Sequence, residues 1–139
     1  MPLTHSIFKC KIMTSKLKSP DTIRVATAQL NPVMGDIRGN LAKAREAWVE
    51  AGRHGADLVL FTELFVAGYP PEDLVLKPAF VDACEKAVAE FASINAGGGP
   101  GIIIGLPVRR KSRLHNAIQV IDGGKIIAER FKVDLPNYG

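Results

Sequence analysis

Residues 23–61, IRVATAQLNPVMGDIRGNLAKAREAWVEAGRHGADLVLF, contain the pattern that decides the fold. Ile23 to Leu30 is a short run of apolar and β-branched residues, which predicts a buried strand. From Asn40, taken as the N-cap, apolar residues recur at helical spacing and predict an amphipathic helix. Asp57 to Phe61 is a second apolar strand. Strand, helix and strand in succession predict an α/β fold in which helices pack against a sheet.

The remainder of the chain continues this alternation. Pro78 suits the first position of a second helix, whose apolar stripe includes Cys84, so an inert core thiol is predicted. A third strand is predicted over Ile102–Leu106, and residues 114–131 read as a hairpin around an Asp-Gly-Gly turn. The glycines of residues 97–101 follow a helix and precede a strand, so they form a linker and not a phosphate cradle.

Composition and charge narrow the class of protein. The chain has 139 residues, 18 basic and 14 acidic, with a net charge of +4. Four of the basic residues are lysines within the first 19, so the remaining body is neutral and no nucleic-acid partner is expected. No apolar run approaches the length of a membrane span, and the two cysteines form no CxxC pair. A protein without a membrane partner, located in the cytoplasm, is expected.

The amino terminus reads as a leader over residues 1–21, followed by the folded body over residues 22–139. This leader has no regular apolar period and no secretory apolar segment, so we expect it to be disordered or misannotated. Met13 is a candidate for the true start of translation. An organelle targeting signal is the alternative, because the leader is basic and contains Ser and Thr.

Glu63 and Lys132 each follow a predicted strand, at the edge where α/β proteins hold ligands. A carboxylate flanked by Leu64 and Phe65 should be partly desolvated, with its pKa raised toward neutrality, which suits a general base. A lysine beside it could stabilise an oxyanion. From spacing alone, a solvated loop glutamate, a helix-start acid and a surface lysine paired with Asp134 remain open.

Two further segments carry the resemblance of this sequence to a known family. Residues 62–74, TELFVAGYPPEDL, and residues 131–139, FKVDLPNYG, resemble signature segments of the nitrilase (carbon–nitrogen hydrolase) superfamily. The GYPPEDL and KxxLPNYG forms resemble most closely the glutaminase domains of the glutamine-dependent NAD⁺ synthetase branch. The resemblance covers residues 22–139 and implies part of an α-β-β-α sandwich.

The resemblance implies a Glu-Lys-Cys triad that hydrolyses the side-chain amide of glutamine through a thioester. It makes Glu63 the general base and Lys132 the lysine that stabilises the tetrahedral intermediate. It also makes Tyr138 and Tyr69 residues of the glutamine pocket. We assign no metal to this segment.

The position of the nucleophile departs from the family pattern. In the family the cysteine follows the KxxLPNYG segment, whereas Cys10 and Cys84 both precede it. We therefore expect an amino-terminal fragment without glutaminase activity of its own. By resemblance, the parent protein passes ammonia to a synthetase domain that amidates nicotinic acid adenine dinucleotide, and it forms a homo-oligomer. ATP and Mg²⁺ are expected only in that synthetase domain, with no cofactor in this segment.

Two alternative functions remain open from the sequence. The parent could be another nitrilase-superfamily amidase that hydrolyses a small amide. The chain could instead be a non-catalytic binding module whose basic leader and Arg109–Arg113 contact an acidic partner, although a solvated connection between strands explains the arginines more simply. The three histidines, His5, His54 and His115, have no spacing that suggests a metal site.

Overall fold

The computed structural model describes residues 10–12 and 21–133. Within them, six strands form one sheet in chain order: β1 (Cys10–Ile12), β2 (Val25–Ala28), β3 (Leu58–Phe61), β4 (Gly101–Arg110), β5 (Arg113–Asp122) and β6 (Lys125–Phe131). The strands β2, β3 and β4 are parallel to one another. The strand β1 is antiparallel to β2, and β5 and β6 continue the sheet as antiparallel strands.

Two helices provide the crossovers between the parallel strands. Helix α1 (Ile37–Arg53) joins β2 to β3, and helix α2 (Pro78–Phe91) joins β3 to β4. Short 3₁₀ turns occupy Glu72–Leu76 and Ala92–Asn95. The α/β fold that the alternation of patterns predicts is confirmed. In the described part of the chain, no helix is both long and apolar enough to cross a membrane.

The core lies between the two helices and one face of the sheet. Small side chains let α1 approach β2 closely, since Ala26 and Ala28 of the strand and Ala44 and Ala47 of the helix are all buried. Cys84 is also fully buried, as its place in the apolar stripe of α2 predicts. On the opposite face of the sheet, apolar side chains remain partly exposed.

Helix α1 begins earlier than the sequence predicts. Asp36 is the N-cap, and its side chain accepts a hydrogen bond from the Gly39 amide at 2.9 Å. Asn40, the predicted N-cap, lies inside the helix with no exposed surface. Its amide accepts from the Val33 N–H and donates to the Val33 and Val66 carbonyls. Asn40 therefore ties the loop before α1 to the segment that follows β3.

The third predicted strand is longer than Ile102–Leu106. Strand β4 continues to Arg110 and turns into β5 through Lys111 and Ser112, both with positive φ. Arg110 binds Glu85 of α2 and Glu129 of β6, with nitrogen–oxygen distances of 2.6 Å to each carboxylate. The prediction of a solvated strand connection over Arg109–Arg113 is therefore wrong for Arg109 and Arg110. Both belong to β4, and Arg110 is held by two ion pairs.

The leader also differs from the prediction in part. The structure places Cys10–Ile12 in β1, which pairs with the edge of β2 so that Cys10 lies opposite Ala28. Residues 1–9 and 13–20 lie outside the described residues. The first strand of the body is also shorter than expected, because β2 covers Val25–Ala28.

A close backbone crossing at Gly105 positions the segment that follows β3. Gly105 lies between the buried side chains of Ile104 and Leu106, so a side chain there would point away from the helices. A Cβ at this position would lie 2.7 Å from the Thr62 oxygen and 2.6 Å from the Leu64 nitrogen. The Gly105 carbonyl also accepts from the Val66 N–H at 3.1 Å. Only glycine leaves room for this crossing.

We predict that Gly105→Ala destabilises the fold by about 1–3 kcal/mol, because the new methyl group meets backbone atoms that cannot rotate away. Urea unfolding of the wild-type and variant 139-residue chains measures the difference in free energy of unfolding.

Gly97→Ala is the matched control, since a Cβ at Gly97 meets nothing within 4 Å. Equal midpoints for Gly105→Ala and Gly97→Ala would show that the crossing at Gly105 does not constrain the structure.

Candidate active site

Glu63 stands on a segment whose backbone is fixed on both sides. Leu64, directly after it, has a positive φ of 49°, a conformation that costs a non-glycine residue about 1 kcal/mol or more. Phe65 and Val66 are fully buried and anchor the segment in the core. The chain therefore holds Glu63 in place through the core and through the crossing at Gly105.

A second loop supports the same segment. The Gly35 N–H donates to the Ala67 carbonyl at 2.9 Å, and Asn40 binds both loops. Gly68 has a φ of +80°, and a Cβ there would lie 2.5 Å from backbone atoms of Val33 and Met34. The two loops therefore pack backbone to backbone, and glycines at the contact make this possible.

Lys132 reaches the Glu63 carboxylate from the end of β6. Its Nζ lies 2.8 Å from Glu63 Oε1, across 69 residues of sequence. Its backbone N–H donates to the Asn116 carbonyl at 2.8 Å, which extends the pairing of β5 and β6 by one residue. The structure therefore brings together the two residues that the sequence selects separately.

Asn116 of β5 is a site residue that the sequence analysis missed. Its Nδ2 donates to Glu63 Oε1 at 2.5 Å, the same oxygen that Lys132 binds. One feature of the sequence could have indicated this role. Asn116 lies inside a predicted strand, and asparagine is depleted from strands. The spacing of residues along the chain alone did not connect it with Glu63.

The charge state of Glu63 differs from the prediction. The sequence predicts that desolvation raises the pKa of Glu63 toward neutrality. The hydrogen bond from Lys132 instead lowers the pKa below its ordinary value of 4.5 and outweighs burial, which raises it. The hydrogen bond from Asn116 lowers the pKa further, by less than burial raises it. The side chain of Glu63 is 43% exposed, so water screens the carboxylate and limits desolvation. Glu63 is therefore ionised at neutral pH.

Two surface depressions meet at Glu63. One, of about 340 Å³, is also lined by Asn116, Arg130 and Lys132. The other, of about 290 Å³, is lined by Leu30, Pro32, Thr62 and Tyr69 as well as Glu63. Tyr69 is 60% exposed, so its ring is accessible from solvent. Tyr138, the other predicted pocket residue, lies outside the described residues.

Cys84 is unsuited to nucleophilic attack. Burial raises the pKa of its thiol to about 12, with a smaller contribution from the neighbouring Glu85 carboxylate. A thiol in this state is protonated at neutral pH and out of reach of a substrate. Within residues 10–12 and 21–133, no group of three or more His, Cys, Asp and Glu side chains could hold a metal ion.

The sequence matches one protein family over most of its length. Residues 24–138 match the family model described as carbon-nitrogen hydrolase. The glutamine-dependent NAD(+) synthetase of Thermotoga maritima is 42% identical over 117 residues, which cover 84% of this chain and 20% of that protein. This chain spans about a fifth of the length of the curated relatives it matches.

Solved structures agree with the family match. The glutamine-dependent NAD+ synthetase of Acinetobacter baumannii superposes with a TM-score of 0.76 at 34% identity, covering 83% of this chain and 22% of that one. An amidase from Nesterenkonia sp. shares the fold, with a TM-score of 0.68 at 24% identity, covering 84% of this chain and 44% of the amidase. The α/β architecture is therefore that of nitrilase-type proteins, and this chain belongs to the carbon–nitrogen hydrolase family.

Proposed function

We propose that this chain contributes the general base and the stabilising lysine of a glutamine-hydrolysing site that supplies ammonia to an NAD⁺ synthetase. The contact of 2.8 Å between Lys132 Nζ and Glu63 Oε1 is the observation that carries the proposal. Similarity to glutamine-dependent NAD⁺ synthetases supports glutamine as the amide donor.

The two side chains have matched roles in this chemistry. Glu63 is ionised, so it can accept the proton of an attacking thiol. The thiolate then adds to the amide carbon of glutamine, and the Lys132 ammonium stabilises the oxyanion that forms. Protonated Glu63 then gives its proton to the amide nitrogen, the C–N bond breaks and ammonia leaves. Water hydrolyses the resulting thioester to glutamate and restores the thiol. The side chains of Lys132 and Glu63 are 38% and 43% exposed, which leaves both accessible to a substrate.

The substrate pocket in this proposal lies beside Glu63. Tyr69 lines the depression of about 290 Å³ and offers a phenol hydroxyl for the polar end of glutamine. We assign Tyr138 to the same pocket from the resemblance of the KxxLPNYG segment. The competing function is hydrolysis of a small amide without a synthetase partner. A comparison of glutamine with small amides as substrates distinguishes these two functions.

The remaining roles are those of a longer protein. We propose that ammonia passes to a synthetase domain, where ATP and Mg²⁺ support amidation of nicotinic acid adenine dinucleotide. We also propose that the whole assembly is a cytoplasmic homo-oligomer. The relatives support this proposal, because they are synthetases about five times as long as the region they share with this chain.

In the complete polypeptide that the gene encodes, we predict that Glu63→Gln lowers ammonia release from glutamine at least about 100-fold, because the amide cannot act as a base. An enzyme-coupled ammonia assay measures the rate. Glu46→Gln, on the outer surface of α1, is the matched control and should leave the rate unchanged. Equal rates for Glu63→Gln and the wild type would refute the proposed base.

The 139 residues alone should release no ammonia from glutamine. Of the two cysteines, Cys84 is buried and protonated, and Cys10 precedes the first parallel strand, whereas the family resemblance places the nucleophile after residue 139. The same assay on the purified 139-residue chain checks this. Ammonia release by the 139-residue chain that disappears in Glu63→Gln would contradict this prediction.

We predict that Lys132→Met raises the pKa of Glu63, because the bond from Lys132 is the main cause of its lowering. Carboxyl ¹³C chemical shifts followed against pH in the 139-residue chain measure this pKa. Since folding lowers the pKa of Glu63, the stability that the pair contributes is present above pH 4.5 and is lost as pH falls further. Lys125→Met at the start of β6 is the control, and an unchanged pKa in Lys132→Met would contradict the pairing.

A further inference from the structure

We propose that Asn116 is a positioning residue that separates the tasks of the two oxygens of the Glu63 carboxylate. In this arrangement Asn116 and Lys132 anchor Oε1, and Oε2 is the oxygen that receives the proton. The inference rests on the proposed function of Glu63 as a base and adds a residue that neither the family motifs nor the sequence pattern assign.

The hydrogen bonds around Glu63 are asymmetric. Asn116 Nδ2 donates to Oε1 at 2.5 Å, and Lys132 Nζ donates to the same oxygen at 2.8 Å. In the part of the chain that the structure describes, both donors to this carboxylate therefore meet at one oxygen. A carboxylate oxygen has two lone-pair sites, and two donors occupy both of them. An incoming proton consequently goes to Oε2.

Asn116 is well placed to hold both partners at once. Its side chain binds Glu63, while its backbone carbonyl accepts from the Lys132 N–H at 2.8 Å. Strand β5 is paired with β4 on one side and with β6 on the other, so the position of Asn116 is fixed by two ladders. The neighbouring strand β4 carries Gly105, over which the Glu63 segment crosses.

An amide is chemically suited to this task. The Asn116 Nδ2 is a neutral donor that keeps its protons throughout the pH range of the reaction. It can donate to Oε1 both before and after Glu63 accepts a proton. When the S–H bond of the attacking thiol breaks, an O–H bond forms on Oε2 and the sulfur carries the negative charge that the carboxylate loses. Oε1 then remains as a carbonyl oxygen with its two donors in place.

Among residues 10–12 and 21–133, three titratable side chains line the two depressions beside Glu63. Lys132 and Arg130 line one depression beside the carboxylate, and Tyr69 lines the other. Arg130 donates to the backbone carbonyl of Glu129 at 2.8 Å and has no hydrogen bond to Glu63. The effect of changing Asn116 on Glu63 can therefore be separated from that of the charged neighbours, which remain in every variant.

Asn116→Asp and Asn116→Ala test the inference in the 139-residue chain. Aspartate has nearly the shape of asparagine but replaces the donor with an acceptor. We expect the pKa of Glu63 to rise by about half a unit in Asn116→Ala and by about one unit or more in Asn116→Asp. Val120→Ala, four residues along on the same face of β5 and outside both depressions, is the control and should not move this pKa. Carboxyl ¹³C titration measures all four proteins.

A packing role predicts a different result for Asn116→Ala. The negative charge added in Asn116→Asp raises the pKa of Glu63 in either case, whereas the loss of a neutral donor raises it only if Asn116 donates to Glu63. A Glu63 pKa in Asn116→Ala equal to that in Val120→Ala overturns the inference. If Asn116→Ala does not fold, Asn116→Leu decides the question, since leucine has a branched side chain of similar shape and no donor.

Infrared spectroscopy tests the asymmetry between the two oxygens. With ¹³C-labelled glutamate, the difference between the wild type and Glu63→Gln isolates the bands of this carboxylate. The separation of its antisymmetric and symmetric stretches should narrow in Asn116→Ala, because one oxygen loses a donor. An unchanged separation overturns the assignment of Oε1 and Oε2.

The two proposals fail independently. If Glu63→Gln leaves ammonia release unchanged in the complete polypeptide, the proposed function fails, whatever the titration shows. If Glu63→Gln abolishes release but Asn116→Ala leaves both the Glu63 pKa and kcat at wild-type values, only the positioning role fails. We expect Asn116→Asp to lower kcat at least about tenfold with little change in KM, since its effect reaches the substrate through Glu63.

Discussion

The crossing of the Thr62–Leu64 backbone over Gly105 determines where the candidate site forms. Backbone atoms lie where a side chain of residue 105 would be, at 2.6–2.7 Å from an ideal Cβ. This contact brings Glu63 onto the sheet face that carries Asn116, while the buried residues after Leu64 fix the segment from the other side. Close backbone packing at Gly105 therefore positions Glu63 beside Asn116 without help from charged groups.

The position of Glu63 beside Lys132 and Asn116 determines its charge state. Lys132 and Asn116 stabilise the ionised form of Glu63, so its pKa is lowered and the carboxylate is available as a proton acceptor at neutral pH. A lowered pKa also makes Glu63 a weaker base. Catalysis therefore requires that the pKa of Glu63 rise when the substrate is bound. A substrate that excludes water between the two depressions would act in this direction, because desolvation raises the pKa of a carboxylate.

Local patterns in the sequence predicted the order of the main elements and selected Glu63 and Lys132 from their places after strands. Contacts between distant residues could not be predicted in the same way. Asn40 has the residue type and position of a helix cap, yet the helix begins before it and its amide binds two loops. The direction of the Glu63 pKa shift depends on a lysine 69 residues away, and the place of Asn116 depends on strand register.

Nuclear Overhauser spectroscopy of the 139-residue chain tests the central claim most directly, because it reports the distance between protons of Gly105 and Leu64. The account predicts a cross peak between the Leu64 amide proton and a Gly105 α-proton, since the Leu64 nitrogen lies 2.6 Å from the ideal Cβ position of residue 105. Cross peaks between the paired strands β4 and β5 serve as the internal reference. A folded chain that shows the reference peaks without the Leu64–Gly105 peak would contradict the account.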